Sequence, residues 1–199
     1  MLKTLIGIIA CGGSSSRMKQ DKSLLNYHGL PQRYYLYNLL KPYCSEILIS
    51  CNSDQVDEIH TDYNFICDKK EYAGNGPVSG LLSAFAEHPD NAILYVGCDY
   101  PFFGTKDIQK LTEARSANYS AICYKNSNSF IPEPLLAIYE NRSKTLILQR
   151  FLQEKYSLRE FLIGSDTQYL PPTNNHALKS IDTPEQYRNE LMNFRVGIV

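Results

Sequence analysis

A short apolar run, Leu5-Ile-Gly-Ile-Ile-Ala10, empties directly into the segment Cys11-Gly-Gly-Ser-Ser-Ser-Arg-Met-Lys-Gln-Asp-Lys22. A run of that length and composition reads as a buried strand, and the Gly/Ser loop after it is closed by three cations, Arg17, Lys19 and Lys22. Gly12 and Gly13 lack Cβ, so the backbone can bring N–H groups close to anionic oxygens. Arg17 can grip a pair of oxygens in a fork, and Lys22 supplies a point charge. These are the requirements of a polyphosphate. Strand, glycine loop and lysine also occur as plain connections in α/β domains, so the loop alone is weak and the full run is far more specific. It is not a Walker loop, because no Gly-Lys-Ser/Thr follows at the required spacing. A dinucleotide fingerprint is excluded too, since the third glycine of Gly-x-Gly-x-x-Gly is missing.

The remainder of the chain alternates between strand and helix patterns. Helices are predicted over 31–41, 76–87, 106–115, 142–154 and 183–191, with a short one at 158–162 and at best a short one at 56–61. Strands are predicted over 46–51, 64–68, 92–97, 121–124, 133–139 and 178–182. Pro77 and Pro184 stand where a first helical residue belongs, and Thr183 is a candidate N-cap. Such alternation without repeat or linker predicts one domain over 1–199. Its fold class is α/β, a three-layer α/β/α sandwich with a mostly parallel, Rossmann-like sheet.

Composition narrows the function by exclusion. Twenty basic residues face 21 acidic ones for a net charge of −1, so neither a nucleic acid nor an anionic membrane is an expected partner. No apolar run approaches a membrane span and no signal peptide is read, so a cytoplasmic setting is expected. The six cysteines form no Cys-x-x-Cys pair and are read as small buried hydrophobes in a reducing compartment. His28, His60, His88 and His176 are scattered without metal-ligand spacing, which predicts turn or surface positions and no zinc chemistry.

In an open α/β sheet, ligands bind outside the carboxyl ends of the strands. Several conspicuous residues converge there: the first loop, Asp68 after the third strand, Gly76-Pro77 before a helix, and Asp99 after the fourth strand. An isolated aspartate at a strand end is usually a turn residue bonded to its own backbone. Beside a polyphosphate loop, Asp99 becomes a magnesium-ligand candidate.

Gly12, Gly13, Ser15, Arg17, Met18, Asp21 and Lys22 fall on the opening signature of the nucleotidyltransferases, and the Asp-Lys ending resembles the molybdenum cofactor guanylyltransferases. Ala10-Cys11 replaces the usual Leu-Ala, and Lys19 stands where the signature has glycine. Gly97-Cys-Asp-Tyr-Pro-Phe-Phe103 resembles that family's Cys-Asp-x-Pro-Phe motif, and Gly76-Pro-Val-Ser-Gly-Leu-Leu82 its Gly-Pro-Leu-Ala-Gly-Leu motif beside the guanine site. Glu133 to Tyr139 resembles a segment on the acceptor side of the cleft. Ser180-Ile-Asp-Thr-Pro-Glu185 resembles the closing Asn-x-Asn-Thr-Pro-Glu, with Ser180 and Asp182 replacing the asparagines.

The resemblance implies a nucleotide-diphospho-sugar transferase type of fold and Mg2+-dependent transfer of GMP from GTP to the terminal phosphate of molybdopterin, with pyrophosphate released. Arg17, Lys22 and Asp99 would be catalytic, with Asp99 holding the metal and Asp182 a second candidate ligand. Ala10, Cys11, Gly12, Gly13, Asp68, Gly76, Pro77 and either Ser50 or Asn52 would contact the nucleotide. A protein that delivers the molybdenum cofactor is a candidate partner. Two other readings stay open: a relative using CTP or a sugar phosphate, which Asp182 favours, and a nucleotide-binding sensor or delivery domain without turnover.

Overall fold

Leu5–Ala10, strand β1, is buried on both faces, and that explains its unbroken apolar run. In the computed structural model, which describes residues 2–11, 18, 20–126, 131–174 and 176–195, β1 lies inside a sheet with the order β3-β2-β1-β4-β6-β5-β7. The other strands are β2 (Glu46–Cys51), β3 (Phe65–Cys67), β4 (Ala92–Gly97), β5 (Ala121–Lys125), β6 (Pro132–Tyr139) and β7 (Thr167–Leu170). Helices α1 (Gln32–Leu40), α2 (Pro77–Glu87), α3 (Thr105–Glu113), α4 (Ser143–Leu152), α5 (Leu158–Ile163) and α6 (Pro184–Arg195) complete the alternation.

β1 pairs in parallel with β2 and β4, and β2 with β3. β6 runs antiparallel to both β4 and β5, so one strand interrupts an otherwise parallel sheet. Its direction follows from connection length: only residues 126–131 separate β5 from β6, too few for a helical crossover, and Asn126 N–H closes the link on Ile131 O at 3.1 Å.

Two apolar layers sandwich the sheet. On one face, Leu36 and Leu40 of α1 and Ile108 and Leu111 of α3 pack with Ile9, Ile49 and Val96. On the other, Leu81, Leu82 and Phe85 of α2, Ile147 of α4 and Phe161 of α5 pack with Ile8, Tyr95 and Tyr139. Gly7 allows the close approach of α1, since a Cβ there would lie 3.1 Å from both Leu40 Cδ1 and Cys44 Sγ. A third, smaller cluster of Met18, Leu25, Tyr27 and Ile181 joins the first loop region to the chain ahead of α6.

The expected helix and strand positions agree with this arrangement within a few residues, with two differences. Residues 178–182, read as a terminal strand, make no ladder: Ile181 N–H donates to Asp99 O at 2.9 Å and its side chain enters the small cluster instead. The sheet is extended by Thr167–Leu170, which pairs in parallel with β5 from Ala121↔Thr167 to Tyr124↔Leu170 and which the sequence pattern did not single out. Neither segment carries a clean two-residue alternation, so local pattern could not separate the paired one from the unpaired. The proposed cap on α6 is present: Gln186 N–H donates to Thr183 Oγ1 at 3.2 Å, and Thr183 N–H to Gln186 Oε1 at 3.1 Å.

Candidate active site

The carboxyl ends of β1, β2, β3 and β4 deliver neighbouring residues to one rim of the sheet. β1 continues past its last residue, with Cys11 N–H donating to Ser50 O at 2.9 Å and Cys98 N–H to Ala10 O at 3.2 Å. The Cys11 amide is thereby engaged in the sheet, so of the backbone donors expected from residues 10–13 this one is not available to a ligand. Gly12, Gly13, Ser15, Arg17 and Lys19 lie outside the described residues.

Asp21 builds the turn that presents Lys22. Its carboxylate accepts from Ser23 N–H at 2.8 Å, capping the 3-10 turn Lys22–Leu24, and from Gln55 Nε2 at 2.7 Å. Lys22 Nζ then donates to Asp182 Oδ1 across 160 positions of sequence, tying the first loop to the entry of α6. Ser180 Oγ donates to the other Asp182 oxygen at 3.1 Å.

Asp99 sits beside that pair. Its side chain folds back over Gly97, where a Cβ would come 2.5 Å from Asp99 Oδ1 and 3.2 Å from Leu135. Burial pushes the Asp99 carboxyl up to about 6; Lys22 opposes the rise, while Asp182 and Glu133 add to it. One cation and three carboxylates therefore act on one another electrostatically. Glu133, at the start of β6, accepts from Tyr100 Oη at 2.9 Å, and burial raises its pKa. The sequence places Glu133 only within a segment that resembles an acceptor-side one. The signal that could have found it is a charged residue opening a strand whose remaining positions are apolar.

A second grouping lies at the start of α2. Gly76 has φ +72°, a left-handed conformation that favours glycine, and Pro77 occupies the first helical position. One turn further on, a Cβ at Gly80 would approach Ser50 Oγ to 2.6 Å, Tyr95 Oη to 2.8 Å and Asp68 Oδ1 to 3.6 Å. Tyr95 Oη donates to Pro77 O at 2.9 Å. Burial raises the Asp68 pKa. Ser50, Tyr95 and Asp68 thus converge on a glycine that leaves them room, and Tyr95 was not foreseen because it reads as an ordinary strand residue. Asn52 behaves differently from Ser50: its Oδ1 accepts from Gln55 N–H at 3.1 Å, and its N–H donates to Gln55 Oε1 at 3.1 Å, closing the 3-10 helix Ser53–Glu58.

Packing holds the loop after β4 in place. His28 Nε2 donates to Pro101 O at 2.9 Å, and its ring stacks on Tyr35 with centroids 3.7 Å apart. Burial lowers the His28 pKa. Phe102 stacks on Phe194 of α6 at 4.9 Å. His28 is accordingly a packed strut of the site rather than a surface residue.

Among the described residues, no group of three or more His, Cys, Asp or Glu side chains is arranged around a metal position. The donor set is nevertheless chemically suited to a hard divalent cation, because Asp99 and Asp182 offer only carboxylate oxygens and their mutual repulsion would be relieved by one.

A mixed sheet with a single reversed strand, and a rim combining a cation with partly buried carboxylates, is the architecture of an α/β nucleotidyltransferase. The chain belongs to the MobA-like NTP transferase domain family, whose model matches residues 7–168. It is 30% identical over 192 residues to a "Molybdenum cofactor biosynthesis bifunctional protein" of Synechocystis sp., covering 92% of this chain and 52% of that one, so it spans about half the length of that relative. It is 26% identical over 187 residues to a "Probable molybdenum cofactor guanylyltransferase" of Bacillus mycoides, covering 91% of this chain and 92% of that one. The fold is shared with molybdopterin-guanine dinucleotide biosynthesis protein A from Archaeoglobus fulgidus, with a TM-score of 0.77 at 19% identity, covering 94% of this chain and 97% of that one.

Proposed function

We propose that this chain, one nucleotidyltransferase domain over residues 1–199, transfers GMP from GTP to the terminal phosphate of molybdopterin and releases pyrophosphate. The observation that carries the reading is the meeting of Lys22, Asp99 and Asp182 at the mouth of the sheet, with the Asp68 grouping beside it. The names borne by its relatives point to the same acceptor.

The residues divide the work. Asp68 is matched to the adjacent N1–H and amino donors of guanine, which adenine cannot present together. Ser50 and Tyr95 shape that side of the pocket. Lys22 and Arg17 neutralise the phosphates and hold the α-phosphate in line for attack. A phosphate monoester is already largely anionic near pH 7, so the acceptor needs no general base, and none of these residues has to serve as one. Asp99, with Asp182, would hold Mg2+, which when bound supplies charge neutralisation to the departing pyrophosphate. For Asp99 to do this it must be ionised, and Lys22 favours that form against the burial that opposes it.

The Lys22–Asp182 ion pair favours a second reading, in which the aspartate that replaces the usual asparagine marks a transferase that uses CTP or a sugar phosphate. The test is Mg2+-dependent pyrophosphate release from GTP, CTP, ATP and UTP with molybdopterin or a sugar phosphate as acceptor. GTP with molybdopterin is the expected pair. Preference for CTP would replace the guanylyl reading, and inertness with every pair would leave a nucleotide-binding or delivery domain, partnered by a protein that carries the molybdenum cofactor. No helix among the described residues is long and apolar enough to cross a membrane; a cytoplasmic location is part of the proposal.

A further inference from the structure

Four cysteines stand in a row beneath this rim. Cys67, Cys51, Cys11 and Cys98 end or follow β3, β2, β1 and β4, the order in which those strands lie in the sheet. All four belong to the same apolar face, and all are free thiols. The Cys51 thiol donates to Ile66 O, the residue before Cys67, at 3.8 Å. The mechanism above uses none of these sulfurs.

The pair nearest the sheet edge differs from the other in access. Cys51 and Cys67 are direct register partners in parallel strands. Neighbouring strands lie about 4.8 Å apart, within the roughly 4.4–6.8 Å between Cα atoms that a disulfide spans. Cys67 is partly exposed on the edge strand, whereas Cys51 is 2% exposed and Cys11 and Cys98 are both 7% exposed. The next residues along the chain are Asn52 and Asp68, so the two sulfurs lie one residue from the ends of the base-binding side.

We propose that Cys51 and Cys67 form an oxidant-operated dithiol, a modification site for small disulfides such as oxidised glutathione, whose closure weakens nucleotide binding. The coupling to nucleotide rests on the reading of the Asp68 side given above. Cys67 reacts first because solvent reaches it. Its thiolate attacks one glutathione sulfur, the glutathione S–S bond breaks, and the departing glutathione takes up the proton. Cys51 then attacks the Cys67 sulfur, and a second glutathione leaves with the Cys51 proton. Two protein thiols are oxidised to one disulfide while one glutathione disulfide is reduced to two glutathiones. Burial pushes the Cys51 thiol up to about 12, which slows its attack, so the second step depends on the adduct being held directly against it. Closing a bond of about 2.05 Å between the two sulfurs draws the ends of β2 and β3 together and re-aims Asp68.

The test treats the reduced full chain with oxidised glutathione and follows intact mass, peptide maps and the affinity for whichever of the four nucleoside triphosphates the reduced chain binds. The expected result is loss of two hydrogens at Cys51 and Cys67, with affinity lowered about tenfold, as when one charge-assisted hydrogen bond is mis-set, and restored by dithiothreitol. Cys51→Ala should accumulate a glutathione adduct on Cys67, and Cys67→Ala should keep its affinity under the same treatment. The proposal is overturned if Cys51 and Cys67 stay reduced while other cysteines oxidise, if the bond forms without a change in affinity, or if Cys67→Ala loses affinity equally. A reduced chain that binds another nucleotide in place of GTP counts against the guanylyl reading alone, since the mass and affinity readouts still decide the thiol chemistry.

Discussion

The two ends of the candidate cleft are built from different interactions. At the phosphate end, Lys22, Asp99, Asp182 and Glu133 are charged groups held in mutual contact or influence, and burial makes that influence strong. At the base end, one carboxylate, Asp68, stands with the hydroxyls of Ser50 and Tyr95 around a glycine. On the proposed function, the phosphate end would stabilise charge that changes during reaction, whereas the base end would present a fixed donor and acceptor pattern. Damage to the first should therefore appear in turnover, and damage to the second in affinity and choice of base.

Asp99→Asn should break the phosphate end most completely. Turnover is expected to fall by about 10^3-fold, the scale set by removal of a preorganised electrostatic group, in a steady-state pyrophosphate assay. The fold should survive it. The Asp99 pKa is raised above its unfolded value, so the native state favours the protonated form and gains stability as pH falls through about 6. A neutral side chain should then leave Tm at pH 8 unchanged or higher, and a large drop in Tm would contradict this account of the site.

Asp68→Asn should act on the other end, raising KM for GTP roughly 10–100-fold through loss of a charge-assisted hydrogen bond, with kcat little changed. Equal losses in kcat would mean that Asp68 belongs with the metal site. Titration of Mg2+ against pH tests the burial of Asp99: apparent affinity should fall by about tenfold per pH unit once Asp99 takes up its proton below about 6. A flat profile down to pH 5 would place the metal elsewhere.

Gly80→Ala sharpens the comparison by filling space rather than removing charge. Its Cβ would meet Ser50 Oγ at 2.6 Å and Tyr95 Oη at 2.8 Å, so a stability loss of about 1–3 kcal/mol and a several-fold rise in KM are expected. Asp182→Asn should have the smallest effect, about two- to fivefold on turnover, because it breaks a partly exposed ion pair while releasing Lys22 to a phosphate. A loss as large as that of Asp99→Asn would make Asp182 an essential metal ligand.

Much of the fold was legible in the chain because its signals are local. The apolar run Leu5–Ala10, Pro77 at the first turn of α2 and the Thr183–Gln186 cap each depend on neighbours a few residues away. The site was legible where a motif is contiguous, as in the Asp21-Lys22 turn, and less so where its members are remote. Glu133 and Tyr95 join the cleft only because β6 and β4 bring them there. Residues 178–182 and Thr167–Leu170 both lack a clean alternation, and only pairing with β5 distinguishes the second.

By itself the sequence determined the strand–helix alternation and the turn that presents Lys22. Such features follow from backbone sterics and from hydrogen bonds between near neighbours. Tertiary structure alone decided the insertion of β6 between β4 and β5, the pairing of Lys22 with Asp182, the rise in the Asp99 pKa and the alignment of four cysteines beneath the rim. Those depend on which distant surfaces are buried against one another, since desolvation and cross-strand register exist only once the sheet has formed.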